Sequence, residues 1–157
     1  MTEQSWDDRV DAFWASADDA APESTLEAMR VLVAERPATD AAGIYEWASV
    51  HDFLGLEAEA IPLYMSALAA GLDGEHKPQA LIQLGSSLRN VGRADEAVDL
   101  LTEQESNEVT GDAAQAFLAL ALHTAGNPDE ALRVALTALA PTLPMYRGAI
   151  TYYANEL

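Results

Sequence analysis

The 157-residue sequence has no cysteine, which excludes disulfides, thiolate metal sites and cysteine nucleophiles and leaves packing to supply stability. Positive charge is nearly as scarce: Lys77 is the one lysine, and with seven arginines it faces 26 aspartates and glutamates. The net charge of −18 argues against nucleic-acid and anionic-membrane partners, both of which need clustered Lys and Arg. Long apolar runs are missing too. The longest uncharged stretch, 113–128, is broken by His123, Gly126 and Pro128 and is too short to span a bilayer. The N-terminal MTEQSWDDRVDAFW lacks the basic segment and apolar run of a secretory signal, so a cytoplasmic protein is expected. There is no glycine-rich phosphate loop, no GxSxG elbow and no HExxH pair. His51, His76 and His123 lie far apart, none with a companion at i, i+4 ligand spacing. No two carboxylates are paired as a general acid and base would require, so neither enzymatic activity nor a cofactor is expected.

What the sequence does contain is repetition. The stretch 81–101, LIQLGSSLRNVGRADEAVDLL, lays over 44–64 and 115–135 so that Gly55, Gly92 and Gly126 coincide. Five residues after each glycine stands an alanine preceded by glutamate: Ala60, Ala97 and Ala131, spaced by 37 and then 34 residues. Before each glycine, helical spacing links Ile44, Trp47, Ala48 and His51, then Leu81, Leu84, Gly85 and Leu88, then Gln115, Leu118, Ala119 and Leu122. After it, Ala60, Tyr64 and Ala67 mark a second helix, as do Ala97 and Leu101, and Ala131, Ala135 and Ala138. The glycine ends the first helix, because it alone enters the left-handed conformation without steric cost. Small residues on both helices let their backbones approach closely, and neither helix could bury its apolar stripe alone.

This order of large residue, small residue, aromatic or leucine, glycine, alanine, large residue and alanine resembles the tetratricopeptide repeat. Within that family the SSLRNVGRADEA run is most similar to small bacterial proteins of the group 5 type. The resemblance implies an all-α protein: a right-handed α-α superhelix of stacked antiparallel hairpins, about nine helices in all, with a C-terminal closing helix. It also implies a protein–protein interaction module that binds its partner in a concave groove. At three positions the chain departs from the pattern: His51 replaces an aromatic, Gln104 a small residue and Gln115 a large one.

The chain divides as one domain into a degenerate hairpin (5–37), three repeats (41–72, 78–109 and 112–143) and the closing helix (144–157). Ser5 is placed to cap a first helix running to Ala17, and Pro37 closes a second that follows Ala21 and has Arg36 near its end. Asp40 is a candidate cap for the third helix, and Pro62 falls early in the fourth. Residues 71–78 read as a loop, and EQESNEVT ends the sixth helix early. Asn127 is expected to cap the eighth helix, with Pro128 in its first turn and Glu130 reaching back. Tyr146, Ile150 and Tyr153 fall at helical spacing within 145–157, which is expected to be a ninth, closing helix that covers the last hairpin.

In the resembled family the first helix of each repeat lines the groove. Carried onto this sequence, that gives Tyr45, Ser49 and Asp52; Gln79, Ile82, Gln83, Ser86, Arg89 and Asn90; and Ala116, Leu120 and His123. Phe117 is expected in the core. A few apolar anchors among hydrogen-bonding groups suit a peptide. Arg89 stands out, since its planar fork fits a partner's carboxylate, with Asp52, Asp95 and Glu96 as competing partners inside the chain. Tyr45 and Ser49 occupy the positions where a carboxylate-clamp lysine and asparagine would stand, which disfavours chaperone-tail binding. The acidity itself fits a solvated surface, a basic partner or a salt-tolerant setting. Two alternatives stay open. One is a homodimer formed through Trp6 or through Tyr146, Tyr152 and Tyr153; the other is a metal protein or enzyme built on Asp73, Glu75 and His76.

Overall fold

The computed structural model describes residues 4–157. Their regular elements are α1 (Trp6–Trp14), α2 (Pro22–Val33), α3 (Ala41–Phe53), α4 (Glu57–Ala69), α5 (His76–Asn90), α6 (Ala94–Thr102), α7 (Ala113–Thr124), α8 (Pro128–Leu139), a 3-10 turn at Ala140–Thr142, and α9 (Arg147–Ala154). Among the described residues the extended pairing is one isolated bridge between Asn107 and Gly111, so the all-α reading stands.

The repeat glycines act as the sequence implies. Gly55, Gly92 and Gly126 take φ of 72°, 86° and 85°. At each, the glycine N–H donates three residues back, to Asp52, Arg89 or His123, and the next residue's N–H donates five back, to His51, Leu88 or Leu122. This double bond satisfies carbonyls that a helix end otherwise leaves open. Ser5 caps α1 by accepting from the Asp8 N–H at 3.1 Å, and Asp8 returns the bond to the Ser5 N–H. Asp40 caps α3 through the Gly43 N–H at 2.8 Å.

Other boundaries differ from expectation. The α1 helix stops at Trp14, short of Ala17, because the Ser16 hydroxyl turns back onto the Ala12 and Phe13 carbonyls and Asp18 takes the Ala20 N–H. Arg36 lies beyond α2, paired with Asp40 and set 4.5 Å over the Trp6 ring. Pro62 sits in the interior of α4, tolerated on an exposed face where water can reach the Ala58 carbonyl left without an amide. The expected 71–78 loop gives way to helix at His76. Asn127 makes no side-chain cap, and Glu130 turns to Arg133 one helical turn on instead of reaching back. In α9 the inward residues are Ile150, half-buried, and Ala154, fully buried, while Tyr146 and Tyr153 face outward at 74% and 64% exposure.

The chain forms two compact units, residues 1–77 and 78–157, the boundary falling in the first turn of α5. In the first, α2 packs on α1 and α3, and α3 on α4, with Ala48, Ala60, Ala67, Met29 and Tyr64 wholly buried. Trp14 ties α1 to α3: its ring meets Phe53 edge-on at 5.8 Å and its indole N–H donates to Glu46 Oε2 at 2.7 Å. In the second, α7 packs on α6 and α8, and α9 on α8. There Gly85 of α5 abuts Leu101 of α6 so closely that a Cβ on it would lie 2.7 Å from Leu101 Cδ1.

Candidate functional site

In the first unit the α3 candidates are largely internal. Tyr45 is 4% exposed, stacked on His76 with ring centroids 4.9 Å apart and inclined 49° to Tyr64 at 6.2 Å. Ser49 is 7% exposed, and Asp52 is half-buried, accepting from the Tyr64 hydroxyl at 3.2 Å. Burial, reinforced by the Asp52 charge, pushes the Tyr64 phenol far above its ordinary pKa, so it is a fixed hydrogen-bond donor. His51 is also internal, its Nδ1 2.7 Å from the Trp47 carbonyl, which accounts for an imidazole where the pattern has an aromatic. His76, proposed with Asp73 and Glu75 as a loop metal site, begins α5 with its ring on Tyr45. No group of three His, Asp or Glu among the described residues is placed to hold a metal.

The second unit gathers the accessible candidates. Gln79, Gln83, Ser86 and Asn90 recur along one stripe of α5, the first three half-buried and Asn90 exposed. Ile82 is buried at 8% exposure. On α7, Ala116, Leu120 and His123 form a matching exposed stripe, with Leu120 at 47% exposure and Phe117 half-buried beside it. The two helices meet at their C-terminal ends, where Arg89 Nη1 donates to Thr124 Oγ1 at a long 3.4 Å. Thr124 was not legible as a site residue; only the spatial neighbourhood of Arg89 identifies it.

The electrostatics set Arg89, and with it Arg147 of α9, apart from the other arginines. Arg9, Arg30, Arg36, Arg93 and Arg133 pair with Glu35, Glu27, Asp40, Glu96 and Glu130 respectively. Arg89 pairs with no described carboxylate, and the competitor Glu96 is held by Arg93. Its Nε is buried without an acceptor, and residues 76–94 contain no acid at all. An unneutralised guanidinium beside a hydrogen-bonding stripe can receive a carboxylate.

A hollow of about 370 Å³ lies among α6, α7 and α8, lined by Gln104, Gln115, Leu118, Val134, Ala138 and Pro141 among others. Two of the three departures from the repeat pattern meet here, since Gln115 Nε2 donates to the Gln104 carbonyl at 2.9 Å. Gln115 Oε1 is buried without a partner. A glutamine in place of a larger apolar residue leaves both the hollow and the unsatisfied oxygen.

Compared with known proteins, residues 41–157 match a tetratrico peptide repeat family model. No curated protein and no solved structure matches the chain.

Proposed function

The chain belongs to the tetratricopeptide repeat family, and on that premise we propose that it is a non-enzymatic interaction module receiving a peptide segment on the α5–α7 face of its second unit. The family generally mediates protein–protein contacts. The observation that carries the finer reading is Arg89, an arginine without a carboxylate in a chain of net charge −18. Arg89 takes a carboxylate of the partner, either a C-terminus or an acidic side chain. Ser86, Asn90 and His123 supply hydrogen bonds to its main chain, and Ala116 and Leu120 the apolar contact. Because the rest of the surface is acidic, the segment is neutral or basic outside that one group. Tyr45, Ser49 and Ile82 are too buried to take part as placed. No described helix is long and apolar enough to cross a membrane, and the cytoplasm is the proposed compartment.

The test is a degenerate peptide array in free-acid and C-terminally amidated forms, probed with the parent and with Arg89→Gln. Selected peptides should lose at least about tenfold in affinity on Arg89→Gln, roughly the value of one charge-assisted bidentate pair. Loss on amidation identifies the C-terminus, and retention on amidation with loss on Asp/Glu replacement identifies a side chain. Equal binding by parent and variant refutes the assignment to Arg89.

A further inference from the structure

The longest stretch without a carboxylate is 131–155, which holds Arg133 and Arg147 and leaves −20 of charge on the rest of the chain. Its surface is also the most apolar. Met145, Tyr146, Tyr152 and Tyr153 are 65%, 74%, 62% and 64% exposed, with Leu139 close to half exposed. The Tyr152 and Tyr153 rings touch edge-on, centroids 5.6 Å apart. Tyr146, which leads into α9, is the one non-glycine residue of positive φ among those described, at 67°, and burial of its ring does not offset that strain. Arg147 donates to the Leu143 carbonyl and has no ion pair with a described residue. Taking roughly 200 Å² per residue, these five apolar residues together expose on the order of 600 Å². That is the upper end of the largest apolar patch usual for a monomer, about 300–600 Å², against the ~800 Å² per partner of a standard interface.

We propose that this tyrosine-rich end of the second unit is a self-association surface, occupied by the same end of a second copy. Two chains of −18 repel, and contact through most other faces sets carboxylate against carboxylate. The stretch 131–155, bounded by Glu130 and Glu156, is where two copies meet with least repulsion. A two-fold contact must be complementary to itself, and this face is: a guanidinium such as Arg147 stacks on a tyrosine ring of the other copy, and the rings pack on each other. The composition, tyrosine, methionine and arginine with no lysine or acid, is that of an interface core.

Sedimentation of the full chain from about 1 to 300 μM should show a monomer–dimer equilibrium that tightens as salt is raised, since salt screens the residual repulsion. Tyr152→Ser with Tyr153→Ser should weaken dimerisation at least 30-fold without lowering the melting temperature of the dilute monomer, whereas Met65→Ser, equally exposed on α4, should leave it unchanged. Because the chain has no cysteine, Tyr153→Cys offers a second readout independent of the double variant: mild oxidation should trap a disulfide-linked dimer, and Met65→Cys should not. A parent that stays monomeric at 300 μM overturns the proposal and leaves the face to an unlike partner. So does dimerisation that survives the double variant, or equal trapping at positions 65 and 153.

Discussion

The close approach of α5 and α6 at Gly85 makes a prediction whose sign depends on its background. A methyl group on Gly85 would lie 2.7, 2.8 and 2.9 Å from Leu101 Cδ1, Cγ and Cδ2, about 1 Å inside ordinary carbon contact. Leu101 is 1% exposed, so its branched end has no solvent to move into and the helices must part or the side chain must leave its rotamer. Overpacking of this kind costs about 1–3 kcal/mol, and with the whole isobutyl group involved the upper half of that range applies. Against it stands the gain of about 1 kcal/mol for replacing glycine by alanine within a helix. Gly85→Ala should therefore destabilise by about 1–2 kcal/mol, lowering Tm by roughly 2–8 °C for a chain of this size. In a Leu101→Ala background, itself costing about 2–5 kcal/mol, the clash is gone and Gly85→Ala should stabilise by about 1 kcal/mol. Urea unfolding of the four proteins of this cycle reads both terms. A Gly85→Ala substitution that stabilises the parent, or that has the same effect in both backgrounds, would refute the reasoning.

Glu46 tests burial of charge. It is 4% exposed, and desolvation raises its pKa despite the Trp14 indole N–H and the nearby His76, with Asp11 and Asp7 adding to the rise. Since the folded state holds this proton more firmly than the unfolded chain does, the group's contribution to stability grows as pH falls from the raised pKa toward the ordinary 4.5 and is lost as pH rises through that window. Glu46→Gln, which keeps an acceptor for Trp14, should be more stable than the parent at pH 7, with the difference closing on acidification; a difference independent of pH would count against it. Gln115→Leu removes a buried oxygen without a partner, so it should stabilise by about 1 kcal/mol in thermal melts; a fall in Tm would mean that the bond to the Gln104 carbonyl matters more. Asp40→Ala removes the α3 cap and the Arg36 pair and should cost about 1 kcal/mol in urea unfolding, whereas a neutral result would show the cap to be dispensable.

Helix positions were legible because their causes are local. The Gly55, Gly92 and Gly126 ends depend on one backbone conformation that glycine adopts freely, and the Ser5 and Asp40 caps on a side chain reaching three residues ahead. Asn127 shows the limit of that rule, since Arg133 offered Glu130 a better partner than the helix start did. Burial was less legible. Periodicity linked Tyr146, Ile150 and Tyr153 on α9 without saying which are covered; half-buried Ile150 and wholly buried Ala154 are the residues that α9 turns inward. In the same way the spacing on α3 and α5 identified a shared face, yet Tyr45 and Ile82 on those faces are covered. Which neighbour covers a face is decided by residues far away in sequence, beyond the reach of spacing.

Charge pairing falls between these cases: Arg89 stood out in the sequence, with Asp52, Asp95 and Glu96 as competing partners, whereas Arg147 did not. Arg30, Arg36, Arg93 and Arg133 each have a carboxylate three or four residues away on the same or adjoining turn, and each uses it. Arg89 has Gly85, Ser86, Gly92 and Arg93 at those distances, and Arg147 has Leu143, Pro144, Ile150 and Thr151, so neither can be neutralised locally. Arg9 also lacks a local acid and shows what the rule misses: α2 brings Glu35 across to it from 26 residues away. Rescue of that kind needs an acidic element packed alongside. Among the described residues no such carboxylate reaches Arg147 or Arg89, whose own stretches, 131–155 and 76–94, carry no acid. In a chain with a more than threefold excess of acids over bases, a cation stays open only where the sequence withholds carboxylates over a whole stretch, and the two longest such stretches carry the two proposed surfaces.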